Sequence, residues 1–116
     1  MALVLFITTL GSLLVTVVAL LGLLGKLPPN TFAGIRTSYT RSSEEAWYRA
    51  HREAAPVMIF GGVAATAAGL AFLPFALAGE VEDGVMLAVV IAQVAILLFS
   101  VLFSATWGIS RAKRAL

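Results

Sequence analysis

The side chains with the widest chemical range lie in one polar stretch, residues 26–53. His51 is the only histidine, and an unperturbed imidazole titrates near neutral pH, so His51 could transfer a proton or bind a metal. A metal site needs two or three further nitrogen, sulfur or carboxylate ligands, and Glu44 alone does not supply them. We therefore favour a hydrogen-bonded packing role for His51, and we expect neither a metal nor another cofactor.

Arg36 is the second candidate for specific chemistry. It lies in the sequence Gly34-Ile35-Arg36-Thr37, where a guanidinium group could bind a carboxylate, a lipid phosphate or the last carbonyl groups of a helix. We favour an internal ion pair with Glu44 or Glu45 over a ligand site. The chain has no nucleophile with its base and orienting partner, no carboxylate pair and no phosphate loop with its lysine, so we do not expect an enzyme.

A short helix is predicted at the end of the polar stretch. Ser42 or Ser43 can cap its N-terminus, and Glu44 and Glu45 fall in the first turn, where the helix dipole favours negative charge. We expect this helix to end near Ala55 and to continue into, or join sharply with, the next helix at Pro56.

The two sides of this helix differ in chemistry. One side carries Glu44, Trp47, Tyr48, His51, Ala54 and Ala55, and the other carries Glu45, Arg49, Arg52 and Glu53. The charged side can form Glu45–Arg49 and Arg49–Glu53 pairs at four-residue spacing and can contact anionic lipid. The pattern predicts an interfacial amphipathic helix whose Trp47–His51 side is a packing or partner surface.

The rest of the chain indicates a membrane protein. Of its 116 residues 60% are apolar and 12% are charged, against about 45–50% and about 25% in soluble domains. Three uncharged segments, residues 1–25, 57–78 and 85–109, reach the roughly 20 residues that a bilayer requires. The first lacks the basic start of a signal peptide, so we expect a retained helix. We predict an all-α protein with three transmembrane helices and the short interfacial helix in the first loop.

The charges predict the orientation of this single module. All eight basic residues lie in the loop 26–55 and the tail 110–116, whereas the connection 79–84 carries only acidic charges. The positive-inside rule then places the N-terminus outside and the loop and C-terminal tail in the cytoplasm. The same rule explains the sequence pI near 9.5 without nucleic-acid binding. The chain has no cysteine, so disulfides and thiolate chemistry are excluded.

Small and polar residues mark the second and third spans. Gly61, Ala65 and Gly69 recur at four-residue spacing, which lets helices approach closely in lipid. We favour packing within the chain over a homodimer face. Gln93 is the one costly polar residue of the third span, and we favour a helix-to-helix hydrogen bond over a transport or binding role.

The polar stretch also resembles a known family. The likeness rests on Gly34-Ile35-Arg36-Thr37, then Thr40, Glu45-Ala46-Trp47 and Ala50-His51-Arg52, followed by a glycine-rich span. This order and spacing resemble the SdpI family of small bacterial membrane proteins, and the three-helix frame resembles its short core module. Ser38 departs from the proline or lysine that many members carry after Arg-Thr. The resemblance implies a shared packing or partner site made of Gly34, Arg36, Thr37, Thr40, Glu45, Trp47, His51 and Arg52.

Three functions remain open at this point. The resemblance implies a non-enzymatic protein of the bacterial cell membrane that acts in immunity or signalling through a cytoplasmic partner-binding loop. Small size and small-residue helix faces are also compatible with an accessory subunit of a larger membrane complex or with a homo-oligomer. A small carrier or channel ranks last, because no ionisable group lies at membrane depth. The expected partners are the lipid bilayer and a membrane or cytoplasmic protein.

Overall fold

Three long helices make up the fold. The computed structural model describes residues 1–30 and 33–114, so Thr31 and Phe32 of the predicted loop and the last two residues of the predicted tail lie outside the described residues. The helices are α1 (Ala2–Leu23), α2 (Glu44–Leu77) and α3 (Asp83–Arg114). Each contains an apolar stretch long enough to cross a bilayer, with mean hydropathy of 2.5, 1.9 and 2.8 in turn. The predicted all-α fold, with three helices long and apolar enough to span a membrane, is confirmed.

The helices form an elongated bundle of 52 × 20 × 19 Å. α2 is the central element, because most contacts between helices join it to α1 or to α3. Long apolar side chains such as Leu3, Phe60 and Phe99 point away from the bundle, as expected for surfaces that face lipid. Small side chains occupy the contacts between helices, and the molecule is therefore thin in two dimensions.

Local sequence signals set the ends of the helices. α1 and α2 each finish in a Schellman motif with a left-handed glycine, Gly25 at φ 70° and Gly79 at φ 76°. The backbone N–H of Lys26 donates to the Leu21 carbonyl at 2.9 Å, which satisfies a carbonyl left unpaired at the end of α1. At the start of α2 the Ser43 hydroxyl accepts from the backbone N–H of Ala46 at 3.0 Å, so the predicted serine cap is confirmed.

The separate interfacial helix predicted for the first loop is not confirmed. Its residues form the first three turns of α2, which runs through Pro56 without a break. A proline inside a helix costs roughly 3 kcal/mol, yet Ala54, Ala55 and Met58 are buried on both sides of it. Because packing holds the backbone on either side of Pro56, the helix tolerates the missing N–H donor.

Residues 110–114 of the predicted C-terminal tail likewise belong to a helix. α3 continues to Arg114 and packs its last turns against the first turns of α2. A Cβ on Gly108 would lie 2.8 Å from the Ala50 carbonyl oxygen and 2.8 Å from the Ala54 Cβ, so the two backbones approach very closely here. Arg111 pairs with Glu53 across the same contact at 2.9 Å. Glu53 thus binds Arg111 rather than the predicted Arg49.

Candidate functional site

His51 joins α2 to the first loop through both ring nitrogens. The backbone N–H of Ile35 donates to Nε2 at 2.7 Å, and Nδ1 lies 2.7 Å from the carbonyl oxygen of Trp47. A carbonyl can only accept, so Nδ1 carries the proton and Nε2 presents its lone pair to Ile35. His51 is therefore neutral and fully hydrogen-bonded in this arrangement.

Burial reinforces this protonation state. Loss of contact with water lowers the pKa of His51 below its ordinary 6.5, and the bond to the Trp47 carbonyl partly opposes the shift. A proton added to Nε2 would also displace the Ile35 N–H, since two donors would then face each other. Both effects favour the neutral imidazole at neutral pH.

Trp47 forms the second connection between α2 and the loop. Its side chain is 0% exposed, and its indole N–H donates to the Leu27 carbonyl oxygen at 2.8 Å. The ring lies against His51, with centroids 4.4 Å apart and planes tilted by 36°. A buried indole N–H usually needs such a partner, and here the partner is the backbone just beyond α1.

Thr40 organises the turn that presents Ile35 to His51. Its hydroxyl accepts from the backbone N–H of Thr37 at 2.8 Å and donates to the Ile35 carbonyl oxygen at 2.8 Å. Both polar groups of Ile35 are thereby fixed, the N–H by His51 and the carbonyl by Thr40. We call the buried set Leu27, Ile35, Thr40, Trp47 and His51 the loop core.

Gly34 has two reasons to be glycine. Its φ is +108°, a backbone conformation that side chains disfavour, and a Cβ there would lie 2.6 Å from Nε2 of His51. The same Cβ would also lie 3.3 Å from Trp47. The loop can therefore close over the two rings only where a side chain is absent.

Close helix contacts hold the loop core from below. A Cβ on Gly22 of α1 would lie 3.1 Å from the Cβ of His51, so α1 passes directly beside it. Beside Trp47 and His51 on α2, Ala46, Ala50 and Ala54 are almost completely buried. These small residues recur every four positions and allow α2 to approach its neighbours, which positions Trp47 and His51 beneath the loop.

The charged motif residues lie outside the loop core. Arg36, Glu45 and Arg52 are exposed. Glu45 pairs with Arg49 at 2.7 Å, and within residues 1–30 and 33–114 Arg36 makes no hydrogen bond or ion pair. The internal clamp predicted between Arg36 and Glu44 or Glu45 is not formed. Glu45 pairs instead with Arg49, one turn further along the same helix. The Arg52 guanidinium lies beside Gly25 at the end of α1.

The residues predicted to pack the helices together, Gly61, Ala65, Gly69 and Gln93, lie inside the apolar part of the bundle. Gln93 is 0% exposed and its amide connects all three helices. Its oxygen accepts from the Thr8 hydroxyl at 2.6 Å, and its nitrogen donates to Thr9 Oγ1 at 3.1 Å and to the Ala65 carbonyl at 3.0 Å. Every polar atom of the amide has a partner within the chain, so its hydrogen-bonding capacity is used in holding the helices together.

The small residues of the second span lie at contacts within the chain. A Cβ on Gly69 would collide with Thr9 and with the Gln93 amide, and a Cβ on Gly61 would collide with Ser100 of α3. Ala65 is also buried. The four-residue stripe therefore faces α1 and α3.

Both ring nitrogens of His51 are occupied by hydrogen bonds. Neither ring nitrogen is available to a substrate or a metal while both bonds are present. Among the described residues no three His, Cys, Asp or Glu side chains are grouped so as to hold a metal ion. The chemistry of this site is hydrogen bonding between a loop and a helix, with charged side chains displayed around it.

Sequence reasoning missed the backbone partners of the site. Leu27 contributes its backbone carbonyl, and Ile35 contributes both its backbone N–H and its carbonyl. Their side chains give no indication of these bonds. Thr8 and Thr9 were also missed as partners of the Gln93 amide. Their adjacent positions in the apolar first span, opposite the only amide of the third span, would have been the signal to use.

The sequence was compared with protein families, curated proteins and solved structures. No match was found among the curated proteins or among the solved structures. The sequence model of the SdpI/YfhL protein family matches residues 26–104, which include the loop core, all of α2 and most of α3. Since the matched region covers well over half of the chain and contains every residue of the motif, the chain belongs to the SdpI/YfhL protein family.

Proposed function

We propose that this chain is a non-enzymatic membrane protein that binds another protein through its first loop, in an immunity or signalling role of the SdpI type. The observation that carries the proposal is the division of the motif into buried and exposed parts. Trp47, His51 and Thr40 hold the loop against α2 by hydrogen bonds. Arg36, Glu45 and Arg52 remain exposed around them.

Such a division suits recognition better than chemistry. A loop already fixed by internal hydrogen bonds loses little conformational entropy when a partner binds, which favours affinity. Exposed charges on a fixed backbone give the partner a defined electrostatic pattern. We call the exposed charged set Arg41, Glu44, Glu45 and Arg52 the loop face, and we propose that the partner contacts it.

The proposed orientation places the loop face in the cytoplasm. All eight basic residues belong to the loop side of the bundle, in the segment 26–55 and in the last turns of α3. The opposite connection carries Glu80, Glu82 and Asp83. The positive-inside rule supports an N-terminus outside and a C-terminus inside, in the cell membrane of a bacterium.

Affinity isolation from the native membrane in mild detergent tests the proposal. The wild-type chain should retain a stoichiometric protein partner, and Arg52→Glu should lose it because the charge of the loop face is reversed there. Arg114→Glu makes the same charge change at the end of α3 and should retain the partner. Equal recovery with both variants would refute the proposed surface.

A second readout addresses the immunity role. Deletion of the gene should make the cell sensitive to a membrane-active peptide, and the wild type and Arg114→Glu, but not Arg52→Glu, should restore resistance. Unchanged sensitivity would refute immunity and leave the signalling role to the isolation experiment. Co-migration with a large membrane complex through both variants would instead favour an accessory subunit.

A further inference from the structure

A groove lies below the loop on the membrane side of the bundle. Its volume is about 430 Å³, within the usual range for small-molecule sites. The floor is apolar and comes from all three helices, namely Leu14, Val15 and Val18 of α1, Met58 of α2, and Val101 and Ala105 of α3. Because these residues belong to the apolar spans, the floor lies at the depth of lipid hydrocarbon.

The upper end of the groove is polar and carries a positive charge. It is formed by the loop backbone around Gly34 and by Arg36, the one lysine or arginine among the lining residues. Arg36 is exposed, and within the described part of the chain no carboxylate pairs with it. His51 also borders the groove, but its two nitrogens are already bonded to Trp47 and Ile35.

We infer that the groove binds one anionic phospholipid, with an acyl chain on the apolar floor and the phosphate on the Arg36 guanidinium. The occupant must pass from the headgroup region to the hydrocarbon, as the groove does, and must be apolar along its length and negative at one end. A guanidinium group presents a planar fork of donors that matches phosphate oxygens. The inference does not rest on the proposed protein partner.

The groove is open to lipid along α1. Leu14 lines it and is still exposed, whereas the neighbouring Leu13 is also exposed but does not line it. A lipid molecule can therefore enter sideways from the bilayer without movement of a helix. The two leucines also provide a matched pair for a test of the acyl-chain position.

The charge part of the inference is tested by native mass spectrometry of the full chain in mild detergent. The protein receives equal amounts of phosphatidylglycerol and phosphatidylcholine with the same acyl chains, and the ratio of the two bound lipids is measured. Arg36→Gln should lower the ratio about fivefold, the factor that one basic residue contributes near anionic lipid. Arg41→Gln removes the same charge from the same loop outside the groove and should lower the ratio less than twofold.

The acyl-chain part is tested with the two leucines. Leu14→Trp should fill the groove and reduce the binding of both lipids severalfold, whereas Leu13→Trp should leave lipid binding at the wild-type level. Equal effects of Arg36→Gln and Arg41→Gln would overturn the phosphate site and indicate general attraction to a basic loop. Equal effects of Leu14→Trp and Leu13→Trp would overturn the groove. Retained far-ultraviolet circular dichroism of each variant excludes unfolding as the cause.

Discussion

Acid should destabilise the fold through His51. The folded chain holds the neutral imidazole, because Nε2 accepts from Ile35 and burial lowers the pKa below 6.5. In the unfolded chain the ring takes up a proton as the pH falls through about 6.5. The unfolded state then binds more protons than the folded state. His51 therefore makes its full contribution to the free energy of unfolding above about pH 6.5, and this contribution decreases below that pH.

The size of this effect follows from proton linkage. One group with a lowered folded pKa changes the free energy of unfolding by at most about 1.4 kcal/mol per pH unit between its two pKa values. Between pH 7.5 and pH 5.5 the unfolded ring changes from mostly neutral to mostly protonated. If the folded ring stays neutral over this range, the free energy of unfolding decreases by up to about 1.4 kcal/mol. Below the folded pKa the loss stops.

Reversible unfolding by sodium dodecyl sulfate in mixed micelles, followed by circular dichroism, measures this dependence. His51→Gln removes the titrating ring while its side-chain oxygen can still accept from Ile35. The variant lacks the imidazole, so the difference between the two curves belongs to His51. Parallel curves for the wild type and His51→Gln from pH 7.5 to pH 5.5 would refute the assignment of the Nε2 lone pair to Ile35.

Three further outcomes are expected. Gly34→Ala should lower the free energy of unfolding by about 1–3 kcal/mol, because its backbone has φ +108° and its Cβ would meet His51. Gly69→Ala should cost about 1–3 kcal/mol through collision with α1 and with the Gln93 amide, whereas Gly11→Ala, which meets nothing within 4 Å, should stabilise α1 by roughly 0.5–1 kcal/mol. Reporter domains fused at Asp83 and at the C-terminus should report outside and inside respectively.

Each of these three predictions has a result that would contradict it. A neutral or stabilising Gly34→Ala would mean that the loop does not close over the imidazole. Equal unfolding curves for Gly69→Ala and Gly11→Ala would mean that the small-residue stripe is not an internal contact. A C-terminal reporter found outside would reverse the proposed orientation and place the loop face on the other side of the membrane.

Features that depend on local sequence could be predicted well. The three spans follow from long apolar runs, and the start of α2 follows from Ser43 with Glu44 and Glu45 behind it. The Glu45–Arg49 pair follows from four-residue spacing on one helix. Each of these signals lies within a few residues, or within one helix length, of the structure that it produces.

Features that depend on contacts between distant segments could not be predicted. The sequence left open whether the helix continues through Pro56 or bends sharply there, and burial of residues on both sides against other helices decides for continuation. The bonds of Trp47 and His51 end on backbone groups of Leu27 and Ile35, which any residue could supply. Glu53 binds Arg111, 58 positions away, although Arg49 offers a nearer charge along the chain.

The unbroken course of α2 has a mechanical consequence. Its 34 residues extend about 50 Å, whereas the hydrocarbon layer is only about 30 Å thick, so the excess length stands in the headgroups and water on the loop side. The helix is continuous between this part and the apolar part. The Arg111–Glu53 ion pair also connects α3 to this end of α2. A change of roughly 10° in helix tilt would move a point about 20 Å beyond the hydrocarbon sideways by roughly 3.5 Å relative to the hydrocarbon boundary. Bilayer thickness and the position of the loop are therefore coupled.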